Sequence, residues 1–136
     1  MPPIKIDHVA IAVTDLDAAL EFWQKGLGLD FHGIEAVPAE AVEIVFLETS
    51  NAHIELVRPT TDDSGIARYI EKRGTGIHHL CLAVEDIEAA LQHLASSGFE
   101  LINDTPRTRD NGTRYAFVHP RSTGGVLLEL YEAAKD

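Results

Sequence analysis

Apolar and polar positions along this chain follow two periods in turn. Residues 6–13 are an apolar, β-branched run of strand length. Leu16, Leu20 and Trp23 then recur at helical spacing, with Asp15 as a helix cap and Gly26 and Gly28 as the stop. Strand-like runs follow at 30–36, 41–48 and 53–58, with Ser50 and Asn51 in a turn. The pattern then repeats. Residues 77–84 read as a strand, Ile87, Leu91 and Leu94 as a helix face ended by Gly98, and 100–104, 113–119 and 125–132 as strands. Leu20, Phe22 and Trp23 read as helix-face core. Residues 62–73 read as a short connecting helix closed by Gly74 and Gly76.

The second half is a copy of the first. HVAIAVTDLDAAL at 8–20 aligns with HLCLAVEDIEAAL at 79–91, at an offset of 71 with seven of thirteen positions identical. The expected architecture is therefore α+β: two tandem βαβββ modules, about 4–60 and 76–133, joined by a helical connector. A module of this size buries little alone, so the two are expected to form one domain with a cupped, eight-stranded mixed sheet.

Polar residues inside strands are the candidates for chemistry. His8 interrupts the first strand, and His79 sits at the matching position. Glu55 and Glu129 lie in the last strand of each module, offset by 74 because the last turn of the second copy is three residues longer. With alternate side chains on one face, His8 shares a side with Ala10 and Ala12, and His79 with Cys81 and Ala83. Small neighbours leave room there. Two imidazoles and two carboxylates in pseudo-twofold arrangement suit a divalent metal of the Co²⁺, Mn²⁺, Ni²⁺, Fe²⁺ or Zn²⁺ type and are too nitrogen-rich for Ca²⁺. His53 shares the face of Glu55. His78 points away from the face of His79. Glu43 shares a face with Val45 and Leu47, and a carboxylate among apolar residues is a candidate base. Its repeat counterpart, Arg114, is expected to face the same cavity.

Composition narrows the function. The chain has 136 residues, 45% of them hydrophobic, and a formal net charge of −11. That charge argues against nucleic acid or an anionic membrane as partner. The charge is uneven: residues 1–57 hold ten carboxylates and two basic residues, whereas residues 58–121 hold eight of the eleven cations. An anionic ligand is expected to meet that middle stretch. One cysteine, Cys81, leaves no internal disulfide. No long apolar run marks a signal peptide or a membrane span, so the expected location is the cytoplasm.

The duplicated His…Glu…His…Glu pattern resembles the vicinal oxygen chelate superfamily, the glyoxalase/bleomycin-resistance/dioxygenase fold. Within it the chain looks similar to the methylmalonyl-CoA epimerases. The stretches that carry this are IDHVAIAV at 6–13, SGIARYIEKRG at 64–74 running into GIHHL at 76–80, and HPRSTGGVLLEL at 119–130. The resemblance implies His8, Glu55, His79 and Glu129 as metal ligands, and Glu43 and Glu129 as an acid/base pair. It implies a divalent ion, Co²⁺ expected first and Mn²⁺, Ni²⁺ or Zn²⁺ as alternatives, an acyl-CoA substrate and a homodimer. The implied reaction is a 1,1-proton transfer that interconverts the two methylmalonyl-CoA epimers. The segment 38–42 departs from relatives that carry a Gly before this strand. Two alternatives stay open: a lactoylglutathione lyase (glyoxalase I), and a non-catalytic small-molecule-binding protein of the same fold.

Overall fold

The computed structural model describes residues 3–134. The chain folds as two compact units. One spans His8–His78; the other runs from His79 onward and includes the first residues of the chain, up to Asp7. The elements are β1 (Lys5–Ala12), α1 (Leu16–Leu20), β2 (Asp30–Val37), β3 (Val42–Glu48), β4 (His53–Pro59), α2 (Gly65–Arg73), β5 (Gly76–Ala83), α3 (Ile87–Ser96), β6 (Arg107–Thr108), β7 (Arg114–Val118) and β8 (Leu128–Glu132). Among the described residues, no helix is long and apolar enough to cross a membrane.

The two units share one topology. In the first, the strand order is β2-β3-β4-β1, with β1 parallel to β4 and the other pairs antiparallel. In the second it is β6-β7-β8-β5, with β5 parallel to β8 and the rest antiparallel. The eight strands are thus of mixed direction, four in each βαβββ unit. The parallel pair requires a crossover, which the helix after the first strand of each copy begins. Equivalent aspartates start these helices: Asp15 accepts from Ala18 N at 3.1 Å, and Asp86 from Ala89 N at 3.0 Å. The connecting helix is shorter than the pattern suggests, because Ser64 caps it by accepting from Ala67 N.

Each sheet has one face covered by its own helix. Val13, Leu16, Val45, Leu47 and Leu56 form the core under α1, joined by Leu20 and Trp23. Ile87, Leu91, Ala116, Val118 and Leu130 form its counterpart under α3. Phe22 departs from expectation and is largely exposed. After Leu20 the helix widens into a π-type turn, with Leu27 N bonding Phe22 O, and this rotates Phe22 off the apolar stripe.

Two strands expected from the pattern are cut short. Residues 100–104 make only an isolated bridge, Leu101 to Val118. There the Asn103 side chain accepts from Phe117 N at 2.8 Å, a bond that a ladder carbonyl would otherwise make. Pro106 follows, and the paired strand is displaced to β6. Residues 125–127 also stay outside β8. Gly124 and Gly125 hold φ of +78° and +107°, which favours a turn over a strand.

A cross-strand ion pair recurs in both units on the helix-covered face, with its polarity reversed. Glu43 of β3 lies opposite Arg58 of β4, and Arg114 of β7 lies opposite Glu132 of β8. Arg58 grips the Glu43 carboxylate through Nε and Nη2. Arg114 donates to Glu132 at 2.9 Å and to Glu88 of α3 at 2.8 Å. Glu132 is buried and also accepts from Ile87 N, the first residue of α3, at 2.7 Å, a favourable site for an anion.

Two stability changes follow. Glu132→Ala strips the acceptor from Ile87 N and should destabilise the fold by about 1–3 kcal/mol in urea unfolding. Ala41, between β2 and β3, has φ of +54°, which strains an alanine and not a glycine. Ala41→Gly should therefore raise stability by about 0.5–1 kcal/mol, strain relief outweighing the added freedom of the unfolded chain.

Candidate metal centre

The face of each sheet opposite the helix carries a His–Glu pair. In the first unit, β1 and β4 run parallel, with His8 beside His53 and Ala10 beside Glu55. Glu55 Oε2 lies 3.0 Å from His8 Nδ1 and 3.1 Å from His53 Nε2. The two imidazoles stack with centroids 5.2 Å apart. His8 is 6% and Glu55 8% exposed, so the cluster is nearly dry. Phe46, opposite Glu55 on β3, packs its ring against His53.

This donor set fits a divalent cation. The candidate ligand atoms of His8, His53 and Glu55 all lie within 4.8 Å of one another. A carboxylate this buried needs a compensating positive charge. Its ion-pair partners among the described residues of this unit are imidazoles, positive only when protonated. Mixed nitrogen and oxygen donors are those of a first-row transition ion or Zn²⁺.

The second unit repeats the pairing. His79 Nε2 lies 3.0 Å from Glu129 Oε1, and Glu129 is 2% exposed. Cys81 lies beside Glu129 across the parallel β5–β8 pair, and Phe117 of β7 lies opposite it. The Phe117 ring meets the His79 imidazole edge to face. Here a full positive charge is supplied: Arg109 Nη2 lies 3.1 Å from Glu129 Oε2. Its guanidinium rests over the Tyr115 ring, 3.7 Å from the centroid. Tyr131 shares the face of Glu129. Burial above all, then the nearby negative charge of Asp7, pushes its phenol above its ordinary value, so it stands as a neutral hydroxyl.

Within each unit, the four expected ligands thus meet as a His–Glu pair: His8 with Glu55, and His79 with Glu129. Glu43 does not join them. It shares a face with Val45 and Leu47, and in this sheet that is the face under α1; Glu55, Phe46 and His53 occupy the other. Its environment is the Arg58 guanidinium, not an apolar pocket. Arg114 is corrected on the same ground. It lies on the α3 side with Ala116 and Val118, tied to Glu88 and Glu132. The cations of the middle stretch are also less available than their number suggests. Arg58, Arg109, Arg114 and Arg121 are each ion-paired within their own unit.

His53 and Arg109 are additions to the expected site residues, His53 beside Glu55 and Arg109 as the cation paired with Glu129. The i, i+2 spacing of His53 and Glu55 signals a shared face. Arg109 lies just past β6 in a turn of the second module, where no period points to it.

Comparison with known proteins agrees with the topology. A sequence model of the glyoxalase/bleomycin resistance protein/dioxygenase superfamily matches residues 7–117. The ethylmalonyl-CoA/methylmalonyl-CoA epimerase of Cereibacter sphaeroides is 37% identical over 128 residues, covering 93% of this chain and 96% of that protein. The crystal structure of methylmalonyl-CoA epimerase from Mycobacterium tuberculosis is 38% identical, with a TM-score of 0.86 over 96% of this chain and 89% of that one. A methylmalonyl-CoA epimerase in complex with methylmalonyl-CoA and NH4⁺ is 32% identical, with a TM-score of 0.84 over 96% of this chain and 94% of that one. With the βαβββ duplication and its paired His and Glu residues, these matches establish that the chain belongs to the glyoxalase/bleomycin resistance protein/dioxygenase superfamily.

Proposed function

We propose that this protein is a metal-dependent methylmalonyl-CoA epimerase, an isomerase that inverts the α-carbon of the acyl group by proton transfer. The observation that carries the reading is end-to-end similarity to epimerases in a chain whose units each bury a His–Glu pair. We take His8, Glu55, His79 and Glu129 as the residues that would hold a divalent ion. When bound, that ion supplies Lewis acidity toward the oxygens of the acyl group.

The chain's own residues handle the protons. Inversion removes a proton from one face of the α-carbon and returns one to the other, so it needs two carriers. Glu129 is one, its carboxylate held between His79 and Arg109. We assign the second to His53, whose ring bonds Glu55 and is the more exposed partner of that pair. Glu43 is not assigned a proton, because it lies on the other face of its sheet.

The proposal also takes Co²⁺ as the ion, an acyl-CoA thioester as substrate, a homodimer as the working form and the cytoplasm as the compartment. The nitrogen and oxygen donors support the first. Phe31 and Ile34, exposed on the edge strand β2, support the third. A reduced, buried Cys81 is compatible with the fourth.

Incubating the Co²⁺-loaded protein with one methylmalonyl-CoA epimer in D₂O should give deuterium at the α-carbon and both epimers. Prior treatment with a chelator should abolish this, and re-addition of Co²⁺ should restore it. Turnover of the methylglyoxal–glutathione hemithioacetal without α-deuteration would assign the chain to the lyase instead. Glu129→Gln should lower kcat by about 10²-fold or more, and His53→Ala by at least about tenfold. Glu43→Gln should leave kcat within about threefold of wild type, since the side chain serves a cross-strand ion pair. A loss comparable to that of Glu129→Gln would restore Glu43 to the machinery.

A further inference from the structure

Arg109 does more than its place in a turn suggests. Its backbone is pinned in a tight turn: its N–H donates to Thr113 O at 2.8 Å, and its carbonyl accepts from Gly112 N at 2.9 Å. Asn111 closes the same turn by accepting from Thr113 N and Oγ1. The side chain then lies flat over Tyr115 and reaches Glu129. Its side chain is 38% exposed while that of Glu129 is 3% exposed. The guanidinium therefore stands where solvent meets the buried carboxylate. Stacking on an aromatic ring fixes the plane of the guanidinium and leaves its edge to bind in-plane acceptors.

We infer that Arg109 recognises the free carboxylate of the substrate's acyl group and so selects acyl thioesters that carry a second, ionised carboxyl. This rests on the epimerase reading. An anionic acyl group brought beside Glu129 meets like charge, in a protein of net charge −11. A fixed guanidinium 3.1 Å from Glu129 offsets that repulsion on the spot. A planar fork also matches the two oxygens of a carboxylate, which an ammonium does not. The CoA phosphates are a poorer fit for this group, because it sits against the carboxylate of the proposed reacting end.

The test compares wild type with Arg109→Gln and Arg109→Lys, using malonyl-CoA and propionyl-CoA as competitive inhibitors of epimerisation. The two probes differ by the carboxyl group. Wild type should favour malonyl-CoA. Arg109→Gln should weaken malonyl-CoA by about 10–100-fold and propionyl-CoA by less than about threefold, so the preference collapses. Arg109→Lys keeps the charge without the fork and should fall between. Co²⁺ affinity, measured by calorimetry without substrate, should not weaken in either variant. An unchanged preference in Arg109→Gln overturns the inference. So does a parallel loss of both thioesters and of Co²⁺, which would make Arg109 a positioning residue for Glu129. Wild type that fails to epimerise methylmalonyl-CoA at all overturns the functional reading and the inference with it; wild-type turnover with an unaltered preference in the variant overturns the inference alone.

Discussion

A four-stranded sheet packed by one helix has one face committed to the core, and strand alternation sorts every side chain onto that face or the other. In both units this sorting decides what each polar residue can do. Residues in step with Val45 and Leu47, or with Ala116 and Val118, lie on the side of the helix. Residues in step with Glu55 or Glu129 do not. A shift of one position exchanges the two fates, so a carboxylate's role is set by its parity within the strand before its chemistry matters.

The recurring ion pair follows from this rule. Glu43–Arg58 and Arg114–Glu132 occupy equivalent cross-strand positions, at the offsets of 71 and 74 that relate His8 to His79 and Glu55 to Glu129. Reversing the polarity preserves the attraction while changing what else each pair reaches. In the second unit the acid sits on the last strand, where it also receives the first N–H of α3. The pair thereby ties the helix to β8, the strand that carries Glu129. In the first unit Arg58 occupies that place, and Asp15 caps α1 locally.

Much of this was legible along the chain. His8, Glu55, His79 and Glu129 stood out because duplication repeated them and period-2 alternation gave each a face. The shared face of Glu43, Val45 and Leu47 was equally readable. What was not readable was which of the two faces the helix covers, because both carry apolar residues: Val45 and Leu47 on one, Val42 and Ile44 on the other. The strand expected at 100–104 failed for a different reason. Apolar content predicts burial, but a single Asn side chain can supply the hydrogen bond that would otherwise propagate the ladder. Arg109 was beyond reach of periodicity altogether, since a turn sets its position.

Charge ties these observations together. An acidic chain that works on an anion cannot rely on its overall field, which repels the ligand at long range and is screened over about 8–10 Å at moderate salt. Attraction must come from a cation held close to the reacting groups, where solvent screens it less. Arg58, Arg114 and Arg121 in the middle stretch are held in ion pairs that join strands, a helix and turns. Arg109 differs because its partner, Glu129, belongs to the site itself. Its charge compensates a buried carboxylate and remains partly open to solvent, so the same guanidinium can stabilise Glu129 and receive an incoming carboxylate. That dual position follows from a short turn of the second module, which places on one copy a charge that the paired His and Glu residues do not supply.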